Sequence, residues 1–282
     1  MIGITSLLTI GVLFGLSGVI AKYLSTYLNP YQVVVFRFSV AFIIALIIFF
    51  ITRAKLNLSK VRKSTLAWFA FSFPASVIFF TLAIFNTTVS LSVFSFYIAT
   101  LISSFIIGKV HFGEPITRNK KISLLFIVLA VVAFTNPFQS FVLQLGFLYG
   151  LISGVLQSIA SSFQKIVSTK SSRIGLLLFQ TAVGVFIASA ILLSQNQPLF
   201  VPLAFTPLVI GIIFGGIFLA ISYLFLIGFK YVNLNVGSIL VSSELFFGPF
   251  LALLLLREVP THLEIVGGVF TVIAVLFANK RD

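Results

Sequence analysis

Residues 41–51 read AFIIALIIFFI. In water such a run favours a strand, because branched and aromatic side chains suit a pleated, half-buried surface. Its surroundings decide otherwise. The run belongs to an apolar stretch over 31–52 in which Arg37 is the one charge. About 20 apolar residues is the length of a helix that crosses a bilayer. Hydrocarbon offers the backbone no water to bond, so a helix, which satisfies its own amides, wins over an open strand. At 22 residues the stretch also exceeds a barrel strand, which needs roughly 9–11.

The same reading extends over the chain. Of 282 residues, 60% are hydrophobic and 8% charged, with a mean hydropathy of +1.21. A soluble domain carries roughly 25% charged residues and cannot bury this much apolar surface. Ten apolar runs are expected to span the membrane, at 3–24, 31–52, 65–86, 88–108, 120–136, 145–165, 174–194, 207–230, 235–256 and 261–278. The gaps between them leave no room for an extramembrane domain. No cleaved leader is expected, since the first run is too long for a secretory core and lacks a basic flank. There is no cysteine, hence neither disulfide nor thiolate chemistry.

The net charge of +13 points to topology and not to nucleic acid. With alternating spans, fifteen Lys and Arg fall on one side, including Arg53, Lys55, Lys60, Arg62, Lys63, Lys109, Arg118, Lys120, Lys121, Lys170 and Arg173. The opposite side holds Lys22 and Arg257. By the positive-inside rule both termini are expected in the cytoplasm, with the chain in the cell membrane.

The chain also repeats itself. Gly11-Val12-Leu13 recurs at Gly154-Val155-Leu156, Lys22 at Lys165, Ser25-Thr26 at Ser168-Thr169 and Phe36 at Phe179, all at an offset of 143. Further on an offset of 144 relates Phe85 to Phe229, Glu114 to Glu258, Thr117 to Thr261 and Phe126 to Phe270. A near-constant offset is the mark of an internal repeat. Two five-helix copies are expected, over 1–141 and 142–282. An odd helix count makes the second copy enter from the opposite side. Inverted repeats place a binding site near the midplane at the seam of the halves, with alternating access by rocking one against the other.

The segments GKVHFGEPITRNKKISLLFIVLAVVAF (108–134) and LLLLREVPTHLEIVGGVFTVIAVLFA (253–278) resemble the drug/metabolite transporter superfamily, EamA-like branch. So do GFKYVNLNVGSILVSSELFFGPF (228–250), with its Tyr, small residues and mid-helix Glu, and NPYQVVVFRF (29–38) with its Arg. The resemblance covers essentially the whole chain. It implies an all-α membrane fold and a secondary transporter of a small organic metabolite, with export of amino acids or related compounds foremost. It also implies that helices 1, 3, 4, 6, 8 and 9 surround the path. This chain departs from the family pattern in having Thr100 opposite Glu244, and Pro249 where the family's Pro follows the Glu more closely.

Five acidic residues occur, and Glu244 is the one at mid-depth of an apolar run, about nine residues or ~14 Å into its span. Inserting an ionisable group there costs roughly 2.5–3.5 kcal/mol, so it should face the bundle interior or a wet cavity. Substrate contact, proton coupling, or a neutral carboxyl that glues helices are its possible roles. Arg37 lies about 9 Å below the outer end of its span. It reads as an outer gate, a partner for Glu244, or a side chain snorkelling to the headgroups. Glu114 and Glu258 open the related turns GEPIT and REVPT, each before a helix whose macrodipole suits negative charge. Pro115 and Pro260 fit those helix starts.

Repeat symmetry and the family pattern supply the cavity candidates: Phe14 and Ser17 on span 1, Gln157 and Ser161 on span 6, Tyr97 on span 4, Tyr223 on span 8, and Ser238 and Ser242 before Glu244. Ordinary packing is the competing role of each, since small and hydroxyl residues bring membrane helices together. His111 and His262 stand without a ligand set, so no metal or cofactor is expected. No phosphate-binding loop is present to couple ATP. An integral membrane enzyme, a lipid-handling protein and a channel are the rival classes. The enzyme would need a polar catalytic cluster, and the repeat-related turns fit architecture better.

Overall fold

The computed structural model describes residues 1–54, 58, 61–86, 89–135, 145–199, 201–256, 259 and 261–279, and it is helical throughout its long apolar runs. The helices are α1 (Ile2–Leu24), α2 (Pro30–Ile51), α3 (Lys63–Asn86), α4 (Val89–Phe112), α5 (Arg118–Thr135), α6 (Leu145–Val167), α7 (Arg173–Ser194), α8 (Phe205–Tyr231), α9 (Leu234–Val241), α10 (Glu244–Leu256) and α11 (His262–Asn279). No strand occurs among the described residues. The stretch 41–51 is helical within α2, as its surroundings predict. Eight segments are long and apolar enough to cross a membrane, the α9–α10 pair counting as one. Two more helices fall outside that set: α5 has 18 residues but opens on Arg118, Lys120 and Lys121, and the apolar part of α11 is shorter, over Ile265–Ala278.

Local chemistry sets where these helices begin. The Asn29 side chain accepts from the Gln32 N–H at 2.9 Å, and the Gln32 side chain accepts from the Asn29 N–H at 3.0 Å. Pro30 follows at the first helical position, where a missing N–H does no harm. Sequence periodicity is inverted relative to a water-soluble helix. In α6 the buried face is Gly150, Ser153, Gly154, Gln157, Ser158 and Ser161, while Leu145, Leu148, Ile152 and Val155 are exposed. Lipid receives the apolar side, and the small polar side packs against protein.

The partner choices are crossed. α1 packs on α8, α9 and α10, whereas α6 packs on α3 and α4. Each half therefore lodges its first helix in the other half, while α2 pairs with α7 and α5 with α11. Each repeat is therefore not a separate bundle of contiguous helices.

Glycine makes the crossing possible, and makes it twice. A Cβ on Gly154 would strike the Phe96 carbonyl and lie 2.9 Å from the Thr100 nitrogen. One on Gly11 would strike the Ser243 hydroxyl and lie 3.0 Å from the Glu244 nitrogen. Gly11 and Gly154 are repeat partners, and so are Thr100 and Glu244, so the two contacts are equivalent. One turn on, Gly15 meets the Gly248 backbone, and its counterpart Ser158 shares a 2.8 Å hydrogen bond with Ser104, the counterpart of Gly248.

The span expected to run unbroken over 235–256 is interrupted. α9 ends at Val241 and α10 starts at Glu244. Between them the hydrogen bonds tighten to three-residue steps: Ser243 N–H to Leu240 at 3.2 Å, Leu245 to Ser242 at 2.9 Å and Phe246 to Ser243 at 2.9 Å. The Ser242 hydroxyl donates to the Ile239 carbonyl at 2.7 Å and so competes with the helical ladder. Pro249, seven residues past Ser242, is not the cause.

Candidate functional site

The interruption turns Glu244 from a mid-helix residue into the first residue of a half-helix. Its carboxylate accepts a hydrogen bond from the Tyr97 hydroxyl of α4. Tyr97 is 2% exposed and Glu244 is half-buried. Tyr97 in turn forms part of the wall of a slit between α1, α4, α6, α8 and α9. Glu244 thus stands behind Tyr97.

The slit has a mixed lining. Gln157, Ser161, Thr100 and Ser238 supply its polar groups. They are held by a ladder of hydroxyls: Ser76 donates to the Ser153 carbonyl at 3.0 Å, Ser153 donates to the Ser76 carbonyl at 2.7 Å, and Ser76 reaches the Gln157 Oε1 at 3.4 Å. The Gln157 amide donates onward to Ser161 at 3.4 Å. Thr100 donates to the Phe96 carbonyl at 2.7 Å, and the Ser158 hydroxyl donates to the Thr100 carbonyl at 2.7 Å. Phe14, Phe225 and Phe229, with Phe96 and Tyr97, supply its aromatic groups. Phe225 stacks on Phe229 at 5.7 Å between centroids, and Phe14 tilts against Phe225 at 5.9 Å. The free space is about 10 Å³, on the order of one water molecule. This conformation is closed at the slit.

Five of the cavity candidates, Phe14, Tyr97, Gln157, Ser161 and Ser238, meet in this one place. Glu244 adjoins it through Tyr97. The remaining ones do not line it. Ser242 is buried at the break. Ser17 is buried on α1 with its hydroxyl lacking a partner. Tyr223 is 37% exposed and lines a separate groove with Arg173 and Lys230. Arg37 does not pair with Glu244: its guanidinium lies 5.0 Å over the Phe214 ring and 4.9 Å over the Phe218 ring. A cation over aromatic faces in a dry setting is worth up to about 2 kcal/mol. Phe96, Phe225, Phe229 and Val241 complete the slit. No sequence signal separates these apolar residues from the many others.

Glu114 supplies a second buried site, near the basic ends of α4 and α6. α4 ends with Gly113 in the left-handed region (φ 62°), which only a residue without Cβ adopts freely. The turn sends Glu114 back into the protein, where it is 5% exposed. Its carboxylate accepts from Lys165 Nζ at 2.5 Å and from the Leu234 and Asn235 N–H groups at 2.7 and 3.2 Å. The expectation that it serves the following helix is therefore corrected. α5 has no acidic residue in its first turn, and Glu114 caps α9, in the other half. Its repeat partner Glu258, with Arg257 and Pro260, lies outside the described residues. The Lys165 ammonium also sits 4.9 Å over the Phe112 ring.

The profile of the EamA-like transporter family matches residues 1–136 and again residues 144–280. The fold resembles a solved crystal structure of another protein with a TM-score of 0.80. The two are 13% identical, and the match covers 99% of this chain and 95% of the other. Among curated proteins none matches the chain. Two family matches placed in tandem, on a helical chain whose halves make equivalent contacts, identify this multi-pass membrane protein as a member of the EamA-like transporter family.

Proposed function

We propose that this chain is a secondary transporter that moves a small organic metabolite, an amino acid or a related compound, outward across the cytoplasmic membrane by alternating access. In this reading ten segments cross the bilayer, both termini are cytoplasmic, and the inverted copies occupy 1–141 and 142–282. The observation that carries it is the slit at the meeting of the two repeats, lined by both aromatic and hydrogen-bonding side chains. Tyr97 lies eight residues into α4 and Glu244 ten residues past the start of α9, about 12 and 15 Å along the axis. Both depths are near the middle of a hydrocarbon core about 30 Å thick. The mixed lining fits an amphiphilic solute, with charged or hydrogen-bonding groups and an apolar part.

Entry requires the walls to part, since the closed slit has no room for a solute. Glu244, the ionisable group adjoining it, is the candidate for coupling to a proton. Its Tyr97 bond links protonation to the wall that the solute touches. The helix break at 242–243 lies at the same depth, and broken membrane helices are where transporters of this kind hold ligands. Purified protein in liposomes loaded with a panel of labelled amino acids tests the reading. Wild type should show counterflow of at least one solute, and Glu244→Gln should change its rate, range or pH dependence. A variant indistinguishable from wild type in all three removes the coupling role. Flux without saturation would favour a channel.

A further inference from the structure

The groove that holds Tyr223 is separate from the slit. It lies where the α6–α7 connection meets the second half of α8, and it measures about 410 Å³. Arg173 and Lys230 line it, with Ser168, Thr169, Ser172 and Tyr223. Both cations are half-buried. Neither has a carboxylate partner among the described residues: Glu114 is committed to Lys165, and the Lys230 ammonium rests only 5.3 Å over the Tyr231 ring. A pair of partly desolvated cations facing a cavity calls for an anion. Ser172, the residue before α7, makes no side-chain cap, so the first N–H groups of that helix add to the positive field.

The shape of the groove says where the anion comes from. Val209, Ile213 and Tyr223 on α8 are exposed and follow one helical stripe, which continues to Tyr231. With α8 read as a membrane span, that exposed stripe faces lipid, and Tyr223, which belongs to both, joins the groove to it. Tyr223 lies seven residues before Lys230, about 10 Å along the axis. The headgroup layer is about 5–8 Å thick on each side of the core. The groove therefore runs from the level of the phosphates to the tops of the acyl chains, with its charges at the polar end and its aromatic ring at the deep end.

We propose that this groove binds the phosphodiester headgroup of an anionic phospholipid, held by Arg173 and Lys230 with the glycerol region against Tyr223. The site belongs to the membrane leaflet that meets the basic ends of the helices, and it is independent of the solute slit.

Native mass spectrometry of the purified protein with added phosphatidylglycerol or phosphatidylcholine tests this. Wild type should retain phosphatidylglycerol in preference. A basic residue near an anionic lipid surface contributes about fivefold to binding. Arg173→Gln and Lys230→Gln should each weaken phosphatidylglycerol by about that factor, and the pair by about 30-fold. Lys170→Gln, an exposed cation on the same connection and outside the groove, should leave it unchanged. Elution as a single species by size exclusion verifies that each variant is folded. Equal retention of the two lipids, or equal losses in Lys170→Gln and the groove variants, overturns the proposal. So does displacement of the lipid by millimolar glycerol 3-phosphate, which would assign the anion to solution.

Discussion

Glu114→Gln tests the tie between the two halves. The substitution keeps the shape of the side chain and removes its charge. Lys165, whose side chain is 21% exposed, loses its counter-ion. Oε1 faces the Leu234 N–H and Lys165 while Oε2 faces the Asn235 N–H, so whichever oxygen becomes the amide nitrogen is a donor facing a donor. Removing one partner of a buried ion pair costs about 3–5 kcal/mol, and the residual exposure of Lys165 favours the lower end. At about 2–4 °C per kcal/mol for a large domain, the apparent Tm should fall by about 6–12 °C. The single tryptophan is a built-in reporter, since Trp68 stacks on Phe163, two residues from Lys165, at 6.3 Å. Thermal unfolding in detergent, followed by its fluorescence, reads the shift. Lys165→Met alone should also destabilise, by leaving the carboxylate unpaired. The double variant should lose less than the sum of the two, because it buries no orphan charge. A Tm for Glu114→Gln within 1 °C of wild type, or strict additivity of the two changes, would refute the reasoning.

Gly15→Ala should lower the apparent Tm by an amount equal to about 1–3 kcal/mol of overpacking, because its Cβ would lie 3.0 Å from the Gly248 backbone nitrogen and 3.1 Å from its Cα. Gly18→Ala meets nothing within 4 Å and should be neutral or stabilising in the same melt. Tyr97→Phe deletes the hydroxyl that Glu244 accepts; a loss of about 1–3 kcal/mol in thermal unfolding, with an altered pH profile of liposome counterflow, is expected. Gln157→Leu should leave the melt almost unchanged, since its hydrogen bonds are 3.4 Å long and such membrane bonds average about 0.6 kcal/mol. Its counterflow KM should rise as a polar group of the slit is lost, and an unchanged KM would remove Gln157 from the solute's path.

The spans, the duplication and half of the slit can be read from residue order because each leaves a local mark. Hydrocarbon length marks a helix. A constant offset marks a copy, and it led to Phe14 and Gln157, repeat partners that both line the slit. The crossed packing left no such mark. In lipid both the outside and much of the inside of a helix are apolar, so periodicity cannot say which neighbour a face prefers. Gly11 and Gly154 were visible as repeats, but that they seat α1 and α6 in opposite halves depends on which backbones come close. Glu114 escaped for a related reason. A carboxylate before a helix looks like that helix's own cap, and one left-handed glycine redirects it to a helix start 120 residues away. Arg37 shows the limit of depth arguments. Its distance from the outer end says nothing of the ring faces of Phe214 and Phe218 over which its guanidinium lies.

The exchange of first helices also sets a schedule for making the protein. α1 leaves the ribosome first, yet Gly11 rests on Ser243, which is synthesised 232 residues later. At about 5–20 residues per second that interval is roughly 10–50 s. For that time α1 sits in the membrane with its glycine face towards lipid or the insertion machinery, waiting for α8, α9 and α10. α6 is better served, because α3 and α4 are already in place when it arrives. The first copy is thus completed by the second, and the second has to receive a helix that has been waiting. Neither copy made alone holds all its partners. Two fragments made together carry all of them, and their reassembly in one membrane depends on α1 still being free when α8 arrives.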